Sequence, residues 1–269
     1  MKTNSNTYTI IYATVLVIIV ATILTLVSTS LKPKQQKNIE INKKQAILNC
    51  IGLGEKTDQI KDVNLFIEKE FKNHLVEMFL VNNKGERIKG NAFKMPLKEQ
   101  YDIMRLKESH PEELALPVYI FKLLNGKKIT VFSTYGAGLW GPIWGYISLN
   151  EDLNTFYGSN FDHKSETPGL GARIAEKDFQ NQFIGKKIFD NNSFCSIDIV
   201  KGGADKSNEH EIDAISGATI TSTALKNCLG QWLRYYLPYI QKTQASQKVL
   251  EETQSLEINN NNNKEENNE

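Results

Sequence analysis

From Ile10 to Leu31 the chain runs 22 residues without a charge, rich in Val, Ile and Leu. A helix of that length rises about 33 Å at 1.5 Å per residue, enough to cross the hydrocarbon core of a bilayer. No Ala-x-Ala cleavage site follows it, so the pattern predicts an uncleaved single-pass anchor over residues 1–31. Thr14, Thr22 and Thr25 can bond their own helix backbone, and no ionisable residue interrupts the span. A polar connector over residues 32–45 comes next. Ala46, Ile47, Leu48 and Ile51 then predict a short helix stopped at Gly52 or Gly54.

Further on, Ile60, Val63, Ile67, Phe71 and Leu75 keep helical spacing and predict a helix over Gln59–Leu75. Met78–Val81 reads as a strand and Asn82–Gly85 as the turn after it. Pro117–Leu124 and Lys127–Tyr135 form the clearest hairpin pattern, with Asn125-Gly126 as a two-residue type I′ turn. Ile143–Leu149 reads as another strand, and a helix is expected from Ala172 onward. A long helical pattern closes the ordered part: Leu225, Cys228, Leu229, Trp232, Leu233 and Tyr236 recur at intervals of three and four. Residues 241–269 are rich in Asn, Glu, Gln and Lys, with too little apolar surface to offset ordering entropy, and predict a disordered tail, with Val249, Leu250 and Leu256 leaving room for a frayed helix. The fold class is α+β: one transmembrane helix followed by a soluble domain over residues 46–240.

Composition narrows the chemistry. A net charge of +1 gives no footprint for nucleic acid. Cys50, Cys195 and Cys228 stand far apart, and the four histidines show no metal-binding spacing, so no metal site is expected. Cys228 lies on the apolar face of its helix and reads as core.

Candidate chemistry sits in three short stretches. Asp213-Ala-Ile-Ser216-Gly217-Ala218-Thr219-Ile-Thr221 opens the last helix, where unpartnered backbone N–H groups and the macrodipole favour an anion. Gly217 lets the backbone approach a ligand and Ala218 adds little bulk. Taken alone, Ser216 or Thr219 serves equally as an ordinary N-cap. Gly138-Leu139-Trp140-Gly141-Pro142-Ile143-Trp144-Gly145 offers an open loop in which a flat ring can lie against Trp140 or Trp144. For Trp144, on the following strand, core packing is the plainer role. Glu166-Thr167-Pro168-Gly169-Leu170-Gly171-Ala172-Arg173 reads as a turn that caps the helix after it.

The run Asp213-x-x-Ser-Gly-Ala-Thr219-x-Thr221 resembles the flavinylation motif of the FMN-binding domain family. Gly-Leu-Trp, Asp152-Leu-Asn-Thr155, His163-x-x-Glu-Thr-Pro-Gly-Leu-Gly and Ser-Gly-Ala-Thr occur in one order. That order is similar to the C-type subunits of sodium-translocating NADH:quinone reductases, from about Gln45 to Tyr239. Gly141, in place of a Ser, and the Asn-rich tail depart from that pattern.

The resemblance implies FMN esterified through its phosphate to Thr219 by a separate flavin transferase. It implies Ser216, Gly217, Ala218 and Thr221 around the phosphate and Asp213 in the transferase recognition sequence. Trp140, Glu166, Thr167 and Leu170 would line the isoalloxazine. It further implies a subunit inactive alone, held in lipid among the integral and peripheral subunits of a multi-subunit NADH:quinone reductase. There it would pass single electrons from NADH toward ubiquinone while sodium is moved elsewhere. Two alternatives stay open: the G-type FMN subunit of an Rnf complex, which shares the last two motifs, and a flavin-less anchored assembly module. Topology is drawn two ways. Lys32, Lys34, Lys37, Lys43 and Lys44 follow the anchor and favour a cytoplasmic domain. The resemblance implies an inner-membrane protein with its domain in the periplasm, and that reading is adopted.

Overall fold

The computed structural model describes residues 6–54, 60, 62–106, 113–191 and 193–266. The chain divides into two compact units, Met1–Lys44 and Gln45–Glu269.

Helix α1 runs Asn6–Cys50 and is long and apolar enough to cross a membrane, with its apolar stretch exposed along its length. The hydroxyls of Thr14, Thr22 and Thr25 each donate to the carbonyl four residues earlier, at 2.7–2.8 Å. The connector expected over residues 32–45 is helical and joins the predicted short helix without a break. Helix propagation costs far less than nucleation, so a polar stretch between two good helix formers continues the ladder.

In the second unit, α2 (Val63–His74) starts at Asp62, whose carboxylate accepts from the Leu65 N–H at 3.1 Å. The predicted start at Gln59 lies outside the described residues. The strands β1 (Leu75–Val81) and β2 (Arg87–Ile88) follow, joined by a turn in which Asn82 accepts from the Lys84 and Glu86 N–H groups. Next come α3 (Leu97–Leu106), β3 (Leu116–Lys122), β4 (Lys128–Ala137), β5 (Pro142–Leu149) and β6 (Phe156–His163). Six strands form one antiparallel sheet in the order β2-β1-β3-β4-β5-β6.

The β3–β4 hairpin does not turn as its sequence suggests. Leu123 N–H bonds the Lys127 carbonyl and Gly126 N–H bonds the Leu123 carbonyl, both at 2.9 Å, which makes a three-residue loop with Gly126 left-handed. Asn125 spends its side chain on the Lys127 N–H, and Leu124 at the tip is 93% exposed. A type I turn closed by a left-handed Gly serves the strand twist as well as the two-residue type I′ form.

Both faces of the sheet are covered. On one, Phe71 meets Phe121 edge-on at 5.4 Å, Tyr119 donates to the Ala92 carbonyl at 3.0 Å and Ser148 donates to the Cys50 carbonyl at 2.7 Å. On the other lie Val118, Phe132, Ile143 and Ile147, packed under the last helix. Between them the chain passes α4 (Lys177–Gln180), the hairpin β7 (Phe189–Asp190) and β8 (Ser193–Phe194), and the parallel pair β9 (Asp198–Val200) and β10 (Glu211–Asp213). The helix expected from Ala172 is a 3₁₀ turn over Gly171–Ala175 followed by α4.

Helix α5 (Thr219–Glu266) supplies the main packing face. Leu225, Cys228, Leu229, Trp232, Leu233 and Tyr236 are all buried. Trp232 Nε1 donates to the Tyr135 carbonyl at 2.6 Å, and the Tyr236 hydroxyl to the Pro117 carbonyl at 2.9 Å. Burial pushes the Cys228 thiol up to about 12, so it acts as core. The helix continues through the Asn-rich segment to Glu266, where composition alone predicts disorder. A helix already fixed by its packed first half extends one bond at a time into a poor sequence.

Candidate functional site

β10 delivers the chain to a tight turn before α5. Ala214 N–H bonds the Val200 carbonyl at 2.9 Å, and Ala218 N–H bonds the Ile215 carbonyl at 3.0 Å. Gly217 sits at φ +77°, a conformation a side chain resists. Ser222 reaches back to accept from the Ile215 N–H at 3.1 Å, which anchors the turn from inside. Thr219 is the first helical residue, so the capping position falls to Ala218, which has no side-chain acceptor. Among the described residues nothing accepts from the backbone N–H groups of Thr219, Ile220 and Thr221. Thr219 and Ile220 are exposed while Thr221 is buried, so two open donors stand at the positive end of a long helix, beside the exposed Thr219 side chain.

The other two stretches converge here. Glu166 is 4% exposed, and its carboxylate takes the Thr221 hydroxyl at 2.6 Å on one oxygen and the Trp140 N–H at 2.9 Å on the other. Ser165 adds a bond from its hydroxyl to the Trp140 carbonyl at 2.7 Å. His163 Nδ1 accepts from the Glu166 N–H at 3.2 Å. Thr167 folds the next turn with its carbonyl, which accepts from the N–H groups of Leu170 and Ala172 at 3.1 Å. Leu170 lies over Gly217, where a Cβ would stand 2.9 Å from Leu170 Cδ2. Trp140 is left 66% exposed at the rim.

Ser216, Gly217, Thr219, Trp140, Thr167 and Leu170 thus stand at the surface of one region, with Ala218 packed beneath them. Glu166 and Thr221 do not face outward: they are buried and bonded to each other. Asp213 is exposed, and its carboxylate is engaged by the Ala204 N–H at 2.6 Å. Trp144 lies half-buried on β5. The Asp152–Thr155 segment is a structural turn. Asp152 Oδ2 accepts from the Thr155 hydroxyl at 2.6 Å, while Asn154 Oδ1 accepts from the Ile188 and Phe189 N–H groups.

Sequence reading misses the open cleft of about 410 Å³ beside Thr219, lined by Tyr101 of α3, Ala137 of β4 and Ile220, Thr223, Asn227 and Gln231 of α5. Its walls come from three elements far apart in the chain. Only the outward i, i+4 spacing of Thr219, Thr223, Asn227 and Gln231 hints that one helix face is left uncovered.

Comparison with known proteins bears on this geometry. The FMN-binding domain family matches residues 138–234, a span that contains all three stretches. The C-type subunit of the Na(+)-translocating NADH-quinone reductase of Vibrio vulnificus is 30% identical over 212 residues, covering 76% of this chain and 81% of the relative. The chain belongs to the NqrC-like family of FMN-binding domain proteins. The crystal structure of the corresponding reductase subunit from Parabacteroides distasonis superposes with a TM-score of 0.68 at 35% identity, covering 78% of this chain and 96% of that one. NqrC of Shewanella oneidensis, 20% identical with a TM-score of 0.64, shares the fold over 77% of this chain and 98% of its own.

The residues present fit FMN, the group the family's description names. A phosphate group needs donors and close approach, and the turn supplies two open N–H groups, a left-handed Gly and a hydroxyl at one point. A flat ring needs an uncovered apolar face, which Trp140 and Leu170 present at the surface.

Proposed function

We propose that this NqrC-like chain is the FMN-carrying, membrane-anchored subunit of a sodium-translocating NADH:quinone reductase, with FMN esterified through its phosphate to Thr219. Bound FMN supplies one-electron redox chemistry that no side chain here possesses. The single observation that carries the reading is the exposed Thr219, set beside two open N–H groups at an uncapped helix start.

Each residue then has a part in holding the cofactor. The Thr219 Oγ would bear the phosphodiester: its O–P bond replaces the phosphoanhydride bond of an activated flavin donor such as a flavin adenine dinucleotide, so that a nucleoside monophosphate and the hydroxyl proton leave. The N–H groups of Thr219 and Ile220 would hold the phosphate, and Gly217 and Ala218 would keep the approach clear. Ser216 adds a hydroxyl at the rim, and Asp213 forms part of the surface a flavin transferase reads. Trp140, Thr167 and Leu170 flank the ring, and the buried Glu166 and Thr221 hold them in place. α1 keeps the domain at the membrane of a bacterial cell, on the periplasmic side, beside the integral and peripheral subunits that deliver and accept electrons.

The test is chemical. Chain produced with its flavin transferase should keep a fluorescent flavin band after denaturing electrophoresis, and peptide mass spectrometry should place the phosphodiester on Thr219. Thr219→Ala should lose the flavin while the domain still folds, since one exposed hydroxyl at a helix start contributes only about 1 kcal/mol. Flavin that washes out on denaturation, or maps to Thr221 or Ser222, refutes the assignment. Co-purification then decides the complex: sodium-pump subunits support the proposal, and subunits of a ferredoxin-linked Rnf complex redirect it.

A further inference from the structure

We infer that Glu166 is a positioning residue, a buried clasp that fixes Trp140 and Thr219 in one frame, rather than a group that touches the cofactor. The inference rests on Thr219 as the attachment point.

Each of its two oxygens is engaged. One accepts from the Thr221 hydroxyl at 2.6 Å and the other from the Trp140 N–H at 2.9 Å. The residue is 4% exposed. A Cβ on Gly138 would stand 2.4 Å from Oε1, and one on Gly171 would stand 2.4 Å from Oε2. Two glycines in two separate loops are therefore shaped around this carboxylate. Burying a carboxylate is costly and is tolerated where charge-assisted hydrogen bonds satisfy it. Here they join three segments: the aromatic loop, the Thr-Pro-Gly-Leu-Gly loop and the first turn of α5.

Helix geometry makes that joint matter at Thr219. Successive helix residues turn by about 100°, so Thr219 and Thr221 point about 200° apart. With Thr221 held inward, Thr219 faces solvent. Helix ends fray, and the residue before α5 is Ala218, whose side chain cannot accept a hydrogen bond. The Thr221–Glu166 bond replaces the missing cap as the restraint on that turn. Ser165, bonded to the Trp140 carbonyl, keeps the aromatic loop in the same register from the other side.

The test uses the full-length chain, co-produced with its flavin transferase or produced without it. Flavin per chain is read after denaturation. The steady-state anisotropy of Trp140 is read on the flavin-free protein as the difference from a Trp140→Phe background. Glu166→Ala should lower flavin content by up to about a hundredfold, the cost of a misplacement of about 1 Å at a reacting centre, and should lower the Trp140 anisotropy. Glu166→Gln should restore both. Its amide oxygen can accept from Trp140 N–H and its amide nitrogen can donate to the Thr221 Oγ, so position is kept while charge is lost.

Glu166→Ala with wild-type flavin content and anisotropy overturns the clasp. Glu166→Gln as poor as Glu166→Ala also overturns it, because charge and not position would then be the requirement. If Glu166→Ala shows no cooperative melting, Thr221→Val and Thr221→Ser carry the test. Loss of flavin in the first and retention in the second support the clasp, and equal loading in both refutes it. A wild-type chain that takes up no flavin on Thr219 removes the parent reading, while the anisotropy of the flavin-free variants still decides whether Glu166 holds the loop.

Discussion

Two glycines separated by one residue should respond very differently to the same methyl group. Gly169 sits at φ +72° with nothing within 4 Å of an added Cβ, whereas Gly171 has no positive φ and a Cβ there would meet Glu166 Oε2 at 2.4 Å and Thr221 Oγ1 at 2.6 Å. Gly169→Ala therefore carries only the left-handed penalty, about 1–2 kcal/mol. Gly171→Ala forces apart two buried, mutually bonded groups. Losing a hydrogen bond to a charged group costs about 1.5–3 kcal/mol, and overpacking adds about 1–3 kcal/mol. At about 2–4 °C per kcal/mol for a domain of this size, Gly171→Ala should lower the melting temperature by on the order of 10 °C and Gly169→Ala by about 4 °C. Intrinsic fluorescence of the detergent-solubilised chain reads this directly, because Trp232 of α5 is wholly buried and bonded to the Tyr135 carbonyl of β4. Equal shifts for the two variants, or a larger one for Gly169→Ala, would show that the packing around Glu166 is looser than the geometry requires.

Trp140→Ala should leave stability within about 0.5 kcal/mol, since the ring is exposed, and should keep the covalent flavin while altering its absorption spectrum and potential. Unchanged spectrum and potential would remove Trp140 from the ring site. Protease added to intact spheroplasts should digest the domain while cytoplasmic markers survive; digestion only after lysis would instead follow the five lysines after the anchor and place the domain in the cytoplasm.

Much of this architecture is legible from residue order. The packing face of α5 follows from its 3.6-residue repeat, and β1, β3, β4 and β5 follow from β-branched and aromatic runs between turn residues. β6 is not legible, because Phe-Tyr-Gly-Ser-Asn-Phe-Asp-His breaks alternation with Gly158. That glycine is set by a tertiary contact: a Cβ there would stand 2.5 Å from the Cys50 carbonyl. α3 escapes notice because its polar sequence buries only Gln100 and Met104 fully. At the site, the turn and the exposed Thr219 follow from local chemistry. The role of Glu166 does not, since its partner Thr221 lies 55 residues away and nothing in either stretch names the other.

That separation bears on when the site comes into being. The carboxylate leaves the ribosome 55 residues before the hydroxyl it will hold, and the sheet on which α5 packs is made of strands synthesised earlier. A nascent or truncated chain carries the Ser-Gly-Ala-Thr letters as soon as they are made, yet presents no oriented acceptor. An enzyme that recognises those letters in their folded arrangement is blind to them during synthesis, so cofactor attachment would belong to the finished domain and not to the growing polypeptide.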